Sequence, residues 1–281
     1  MEISNDGFKT VIGSDGKIAL LFDSERATEC VKFAIEKNIR TLSLYPGVYL
    51  ASNLFPLFEI KDFISGLLLE ESIDYSGLNY FKNLTYLSIP DNKKDSIDLS
   101  IFSDIEVLAC DFSDRLKGLE SAIKLRSLTI SNFKSKNNNL SEIPALLSLE
   151  HLNLIKPRIN SLQGIEKFTK LKRLEIYGAS KLDRIGDVSN LKSLEQICIE
   201  KSKAINDFEA LKDLTSLKKL MLTESGNIKT LSFLKMLPNL KFISLWRTNV
   251  LDGDLSYCEG IDYVGFDNKR HYSHKSEEFK K

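Results

Sequence analysis

One six-residue pattern, apolar-x-x-apolar-x-apolar, recurs through most of this 281-residue chain and leaves it few ways to fold. It first appears as Ile39, Leu42 and Leu44, and later as Leu171, Leu174 and Ile176 or Leu240, Ile243 and Leu245. Its central positions are Leu42, Leu67, Leu87, Leu108, Leu128, Leu152, Leu174, Ile197, Leu220, Ile243 and Val264, spaced 20 to 25 residues apart. The last three positions of each match alternate apolar, exposed, apolar, the period of a short strand with one buried face. Between matches the chain carries further apolar anchors, such as Ile165 with Phe168, Val188 with Leu191, and Leu231 with Leu234 and Leu237. No unit of this size buries its own Leu and Ile side chains. Stacking successive units makes one continuous core, in which each buried Leu contributes roughly 1.5–3 kcal/mol.

This pattern over residues 39–266 resembles the leucine-rich repeat, in particular its short-repeat internalin-like and phosphatase-regulator-like branch. The resemblance implies an α/β class solenoid of about 11 repeats, a curved right-handed coil with a parallel β-sheet on its concave side. The family usually carries Asn or Cys two residues past the strand motif, where the side chain bonds the turn backbone. Here those positions are Asn92, Ser113, Phe133, Pro157, Ala179, Ser202, Ser225 and Thr248, so irregular turns are expected, above all at Phe133 and Pro157.

The ends read differently. Residues 1–38 are expected to form an N-terminal α+β cap, with two strands around the turn Gly13-Ser14-Asp15-Gly16. A helix follows over 24–37, with Ser24 as its N-cap and Ala27, Val31, Ala34 and Ile35 on its buried face. Residues 267–281 are expected to be a C-terminal cap with a charged tail, and their Asn-Lys-Arg-His-Tyr-Ser-His run resembles the ending of bacterial cytoplasmic leucine-rich-repeat proteins. In that run His271 and Tyr272 are either part of the closing segment or ligand contacts.

Lys+Arg and Asp+Glu both total 39, so no bulk positive charge favours nucleic acid as a partner. No segment holds the roughly 20 apolar residues that cross a bilayer, and the start, Met1-Glu2-Ile3-Ser4-Asn5-Asp6, has no basic or apolar leader region. Cys30, Cys110, Cys198 and Cys258 are scattered without paired spacing, the usage of a reducing compartment, and a cytoplasmic location is expected. No phosphate loop, nucleophile elbow or zinc helix occurs, so neither catalytic residues nor a cofactor is expected. Asp252-Gly253-Asp254 reads as a solvated turn, and His271 with His274 lacks a third metal ligand.

What remains is a surface. The residues flanking each inward pair project from the sheet, and eleven strands about 4.8 Å apart would make a face roughly 50 Å long. Its second half concentrates the residue types of binding hot spots: His151, Ile155, Arg173, Glu175, Tyr177, Glu200, Lys219, Phe242, Trp246, Arg247 and Tyr263. The function expected is therefore non-catalytic protein binding. The resemblance makes its most specific form an intracellular immunity protein that occludes a bacterial toxin. A secreted internalin-like effector or adhesin that binds a host protein, and an adaptor or regulatory subunit of an enzyme, are the alternatives. Self-association is left open by the sequence.

Overall fold

The structure, a computed structural model, describes residues 2–3, 7–12, 16–90 and 96–279. Asn92, most of the turn at residues 13–16 and the last two residues of the tail lie outside the described residues. The chain forms two compact units, residues 1–126 and 127–281.

In residues 127–281 the recurring pattern becomes seven parallel strands: Ser127–Ser131, His151–Ile155, Arg173–Tyr177, Gln196–Glu200, Lys219–Thr223, Phe242–Leu245 and Tyr263–Phe266. Their register places Leu128, Leu152, Leu174, Ile197, Leu220, Ile243 and Val264 on one rung, so each central position stacks on the next. Six of these seven side chains are at most 1% exposed, and the last, Val264, 6%. Opposite the sheet the chain returns through short 3-10 turns, such as Ile165–Lys167, Gly186–Asn190 and Phe208–Asp213, which bury Ile165, Val188, Phe208 and Leu211. A strand on one side and a 3-10 turn on the other fit a repeat too short for a full helix.

In residues 1–126 the strands Thr41–Ser43, Gly66–Leu68, Tyr86–Ile89 and Val107–Asp111 are likewise parallel and align Leu42, Leu67, Leu87 and Leu108. Ile18–Leu21 joins them in parallel, pairing Leu20 with Leu42, while Lys9–Ile12 pairs antiparallel to it. The rung thus extends to Leu20, a position outside the six-residue pattern. The helix is Ala27–Glu36, preceded by a 3-10 turn over Ser24–Arg26. Two expectations about it change. Ser24 does not cap it. Asp23 caps the preceding 3-10 turn, its carboxylate accepting from Glu25 N at 3.0 Å, and the helix itself starts after Arg26 with no side-chain cap. The Ser24 hydroxyl accepts from Leu50 N and Ala51 N. The buried face comprises Cys30, Val31, Phe33 and Ala34, and Ile35 is exposed, because Phe33 turns inward to stack on Phe8.

The turns after the strands of residues 127–281 are regular, contrary to the irregularity expected at Phe133 and Pro157. In six successive repeats the residue four past the central rung position has positive φ: Asn132 (55°), Lys156 (50°), Gly178 (69°), Lys201 (53°), Glu224 (52°) and Arg247 (53°). This kink aims its N–H at the next strand's end. Asn132 N donates to Ile155 O, Lys156 N to Tyr177 O, Gly178 N to Glu200 O, Lys201 N to Thr223 O and Glu224 N to Trp246 O, all within 2.6–2.9 Å. The following side chain, whether Phe133, Pro157, Ala179, Ser202, Ser225 or Thr248, is then buried. Where that residue carries a hydroxyl, it does the bonding that Asn does in the family. Thr248 Oγ1 donates to Leu222 O at 2.8 Å and accepts from Ser225 N at 3.1 Å. Ser225 Oγ donates to Ile199 O at 2.9 Å, and Ser202 Oγ accepts from Ala179 N at 3.2 Å. The Phe133 repeat is long because an extra loop follows. Lys167 Nζ ties that loop down by donating to the carbonyls of Leu140, Ser141 and Ile143.

Candidate functional site

The strands of residues 127–281 hold their outward side chains on a backbone fixed by ladder bonds, and the expected site residues fall on this face in two clusters. The first is polar and centres on Glu175. At 7% exposed it is far more buried than a solvated face residue would be, because its neighbours close over it. His151 Nε2 lies 3.0 Å from one carboxylate oxygen, and Arg173 Nε donates to the other at 3.0 Å. Tyr177 Oη donates to that second oxygen at 3.4 Å. On its far side the His151 ring meets Ser127 Oγ at 3.2 Å. The hydrogen bond from His151, followed by those from Arg173, holds the Glu175 carboxyl down at about 2 against an ordinary 4.5. Burial pushes the Tyr177 hydroxyl and the Cys198 thiol up, so both stay neutral.

Ser127, His151 and Glu175 form a hydrogen-bonded chain across three strands, the residue types of a hydrolase triad. The main chain around them is fully engaged in the sheet. The main-chain N–H groups of His151–Ile155 and Arg173–Tyr177 belong to strands paired on both sides and are committed to the ladder. An oxyanion hole needs such donors free and aimed at one point. The arrangement instead locks Arg173, Tyr177 and His151 in place around a shared carboxylate.

The second cluster is aromatic. Phe242 and Tyr263, partners in register on adjacent strands, stack with ring centroids 4.3 Å apart and planes 7° from parallel. Lys219, on the preceding strand, places its ammonium 4.7 Å from the Phe242 ring centre. Trp246 and Tyr263 remain 43% and 45% exposed. Both line a pocket of about 850 Å³ whose other walls include Phe266, Asp262, Asp267 and Phe279. The 3-10 turn Ser276–Phe279 forms one side of it.

The remaining expected residues are less central. Ile155 and Glu200 are half-buried strand ends, and Glu200 pairs with Lys201 at 3.0 Å. Arg247 stands off the strand at the positive-φ turn, where its guanidinium meets Glu224 at 2.9 Å. Ser127 and Cys198 follow from the outward alternation of their strands but were not singled out as site residues, and Phe279 was missed. Ser127 was signalled by being in register with His151, and Phe279 carried no pattern at all. Asn153, between the two ends of the Glu175 network, buries a side-chain oxygen that has no hydrogen-bond partner among the described residues.

The other motifs are absorbed into the scaffold. His271 Nε2 donates to Val250 O at 3.0 Å and Tyr272 Oη accepts from Val250 N at 3.0 Å, so both belong to the closing segment. His274 turns away to Ser273 and Glu259. Asp252-Gly253-Asp254 is a turn in which Asp254 caps Ser256, and a Cβ on Gly253 would lie 2.2 Å from the His271 carbonyl oxygen. Burial pushes the Cys110 and Cys258 thiols up to about 12, so neither is a nucleophile at neutral pH. No helix among the described residues is long and apolar enough to cross a membrane.

No family model matches the sequence, and no curated protein matches it. Solved structures do match. An internalin of Listeria monocytogenes, InlF, superposes with a TM-score of 0.53 at 19% identity, covering 76% of each chain. A leucine-rich-repeat protein of Leptospira interrogans gives 0.54 at 20% identity, covering 78% of this chain and 58% of its own. The functional domain of InlJ from Listeria monocytogenes gives 0.50 at 16% identity, covering 82% of this chain and 58% of its own. The chain therefore spans little more than half of two of these three structures. With the parallel strands, the stacked Leu and Ile rungs and the 3-10 return turns, the likeness establishes that this chain has the leucine-rich-repeat solenoid fold.

Proposed function

We propose that this chain is a non-catalytic protein-binding module, and that its partner sits on the strand face of residues 127–281. The observation that carries the reading is the pairing of exposed aromatic anchors with fixed polar neighbours. Trp246 and Tyr263 offer large apolar area, and the Glu175 network holds Arg173, Tyr177 and His151 in one arrangement before any partner arrives. Trp, Tyr and Arg dominate the energetics of protein interfaces, and pre-ordered side chains lose little entropy on binding. The most specific form of the proposal is a cytoplasmic immunity protein that covers the active surface of a bacterial toxin. Four free cysteines, three of them buried, support a reducing compartment.

Capture of partners by the tagged chain, compared with a Trp246→Ala, Tyr263→Ala variant, tests the reading. A partner retained by the native chain and lost by the variant, whose thermal unfolding is unchanged, is the expected result. Equal capture by both chains would contradict it. Co-expression with a growth-inhibiting toxin encoded beside the gene tests the finer form, since rescue of growth by the native chain alone is expected.

A further inference from the structure

The turns that leave the strands of residues 127–281 carry a concentration of positive charge that neither the core nor the strand face explains. Segments 132–136, 156–158, 178–184 and 201–203 hold Lys134, Lys136, Lys156, Arg158, Lys181, Arg184, Lys201 and Lys203 against one acid, Asp183, in a chain with no net charge. All eight are exposed. Asp183 pairs with Arg184 at 3.6 Å and Lys201 with Glu200 at 3.0 Å. Among the described residues none of the other six pairs its side-chain charge with a carboxylate, although the Lys136 main-chain N–H donates to the Glu142 carboxylate at 2.7 Å.

The ladder dictates their spacing. Because Phe133, Pro157, Ala179 and Ser202 occupy the same place in successive repeats, Lys134, Arg158 and Lys203 recur at the position just after it and Lys156 and Lys201 just before it. Neighbouring rungs lie about 4.8 Å apart, so the row is a ridge roughly 15 Å long. Backbone conformation adds a second observation. Lys156 and Lys201 sit at φ of 50° and 53°, where Gly or Asn is the unstrained choice, and Asn132 and Gly178 show that both are used at this same position. Glu224 and Arg247 take the same conformation in the next two repeats, so the position accepts either charge and the fold itself does not ask for lysine there.

We propose that this ridge docks an acidic helical segment of the partner protein. Carboxylates at i, i+3 or i+4, and i+7 on a helix recur about every 5.4 Å, close to the rung spacing. The exposed positions of these turns bear no aromatic side chain on which a base would stack, which favours a protein over a nucleic acid. The ridge continues from the strand face, since Lys156 follows Ile155 and Lys201 follows Glu200. The proposal thus rests on the protein-binding reading and gives the partner a charge.

The test uses the full chain and a fluorescein-labelled helical peptide with Glu along one face, measured by anisotropy. Saturable binding that weakens with salt is expected, together with at least a roughly tenfold loss when Lys134→Glu, Arg158→Glu, Lys181→Glu and Lys203→Glu are combined. The corresponding four Gln substitutions, which remove charge without adding repulsion, should give a smaller loss in the same direction. Unchanged affinity in both variants would overturn the proposal. So would binding of a single-stranded oligonucleotide of equal charge as tightly as the peptide. The Trp246→Ala, Tyr263→Ala variant should bind the peptide as the native chain does, so that the ridge and the strand face fail separately. A fall in peptide affinity there would place the peptide on the face and overturn the ridge.

Discussion

The two units share a ladder of leucines and differ in how the chain leaves it. In residues 127–281 a positive-φ residue ends each of six strands and is followed by a buried side chain. In residues 1–126 the corresponding positions among the described residues are Pro46, Glu71 and Phe112, and none of them has positive φ. Two of that unit's strands, Thr41–Ser43 and Gly66–Leu68, are only three residues long. Their outward residues Thr41 and Ser43 are buried, and Gly66 leaves the space that the Thr41 side chain fills. Only the first two repeats of the first unit close over in this way, since Tyr86–Ile89 and Val107–Asp111 are four and five residues long with half-buried outward rows, whereas the outward row of the second unit is richer in charged and aromatic side chains. The core supports both. What separates the two units here is the strand exit and the outward row.

The largest effect should come from the shared element. Leu174→Ala empties a fully packed rung in mid-stack and should lose about 2–5 kcal/mol in denaturant unfolding, as should Leu87→Ala in the other unit. A loss below about 1 kcal/mol at either site would mean that the rung is not a common core.

Acid should separate the units next. The Glu175 carboxyl is held at about 2 in the fold and near 4.5 when free. A depressed carboxylate stabilises the fold fully above its unfolded value, and that contribution disappears as pH falls through the window from about 4.5 to 2. Its size is on the order of 2–3 kcal/mol. Glu175→Gln should flatten this part of the stability profile of the native chain, and an unaltered profile would refute the network.

Removing a buried hydroxyl from a strand exit should have a smaller effect. Ser225→Ala removes the buried hydroxyl that donates to the Ile199 carbonyl and should lose about 1–2 kcal/mol. Smallest is Lys201→Gly, which relieves the left-handed strain while loosening the unfolded chain. The net change should stay within about 1 kcal/mol, whereas Glu71→Gly in the first unit, with no such strain to relieve, should only destabilise.

These contrasts show what the sequence made legible. The rungs were readable because burial at a fixed interval selects Leu and Ile in every unit. The strand exits were not, since Lys156, Lys201, Glu224 and Arg247 are residue types that carry no signal for positive φ. Only Asn132 and Gly178 do. Ser202, Ser225 and Thr248 stand where the family carries Asn or Cys, and irregular turns were expected from that, yet one hydroxyl oxygen is enough to link two repeats. Of the face, the aromatic residues at exposed strand positions were found directly. The burial of Glu175 was not, because it depends on His151 in one repeat and Arg173 in the next meeting over one carboxylate. Leu20 escaped notice because a strand entering from an antiparallel hairpin lacks the six-residue pattern.

Both units display aromatic rings to solvent, so side-chain footprinting with hydroxyl radicals can decide which one binds. Phe55 and Tyr80 in the first are 65% and 54% exposed, comparable to Trp246 and Tyr263 in the second. With a captured partner bound, oxidation of Trp246 and Tyr263 should fall sharply while that of Phe55 and Tyr80 stays as in the free chain. Protection of Phe55 and Tyr80 with Trp246 unaffected would contradict the assignment of the binding face to residues 127–281.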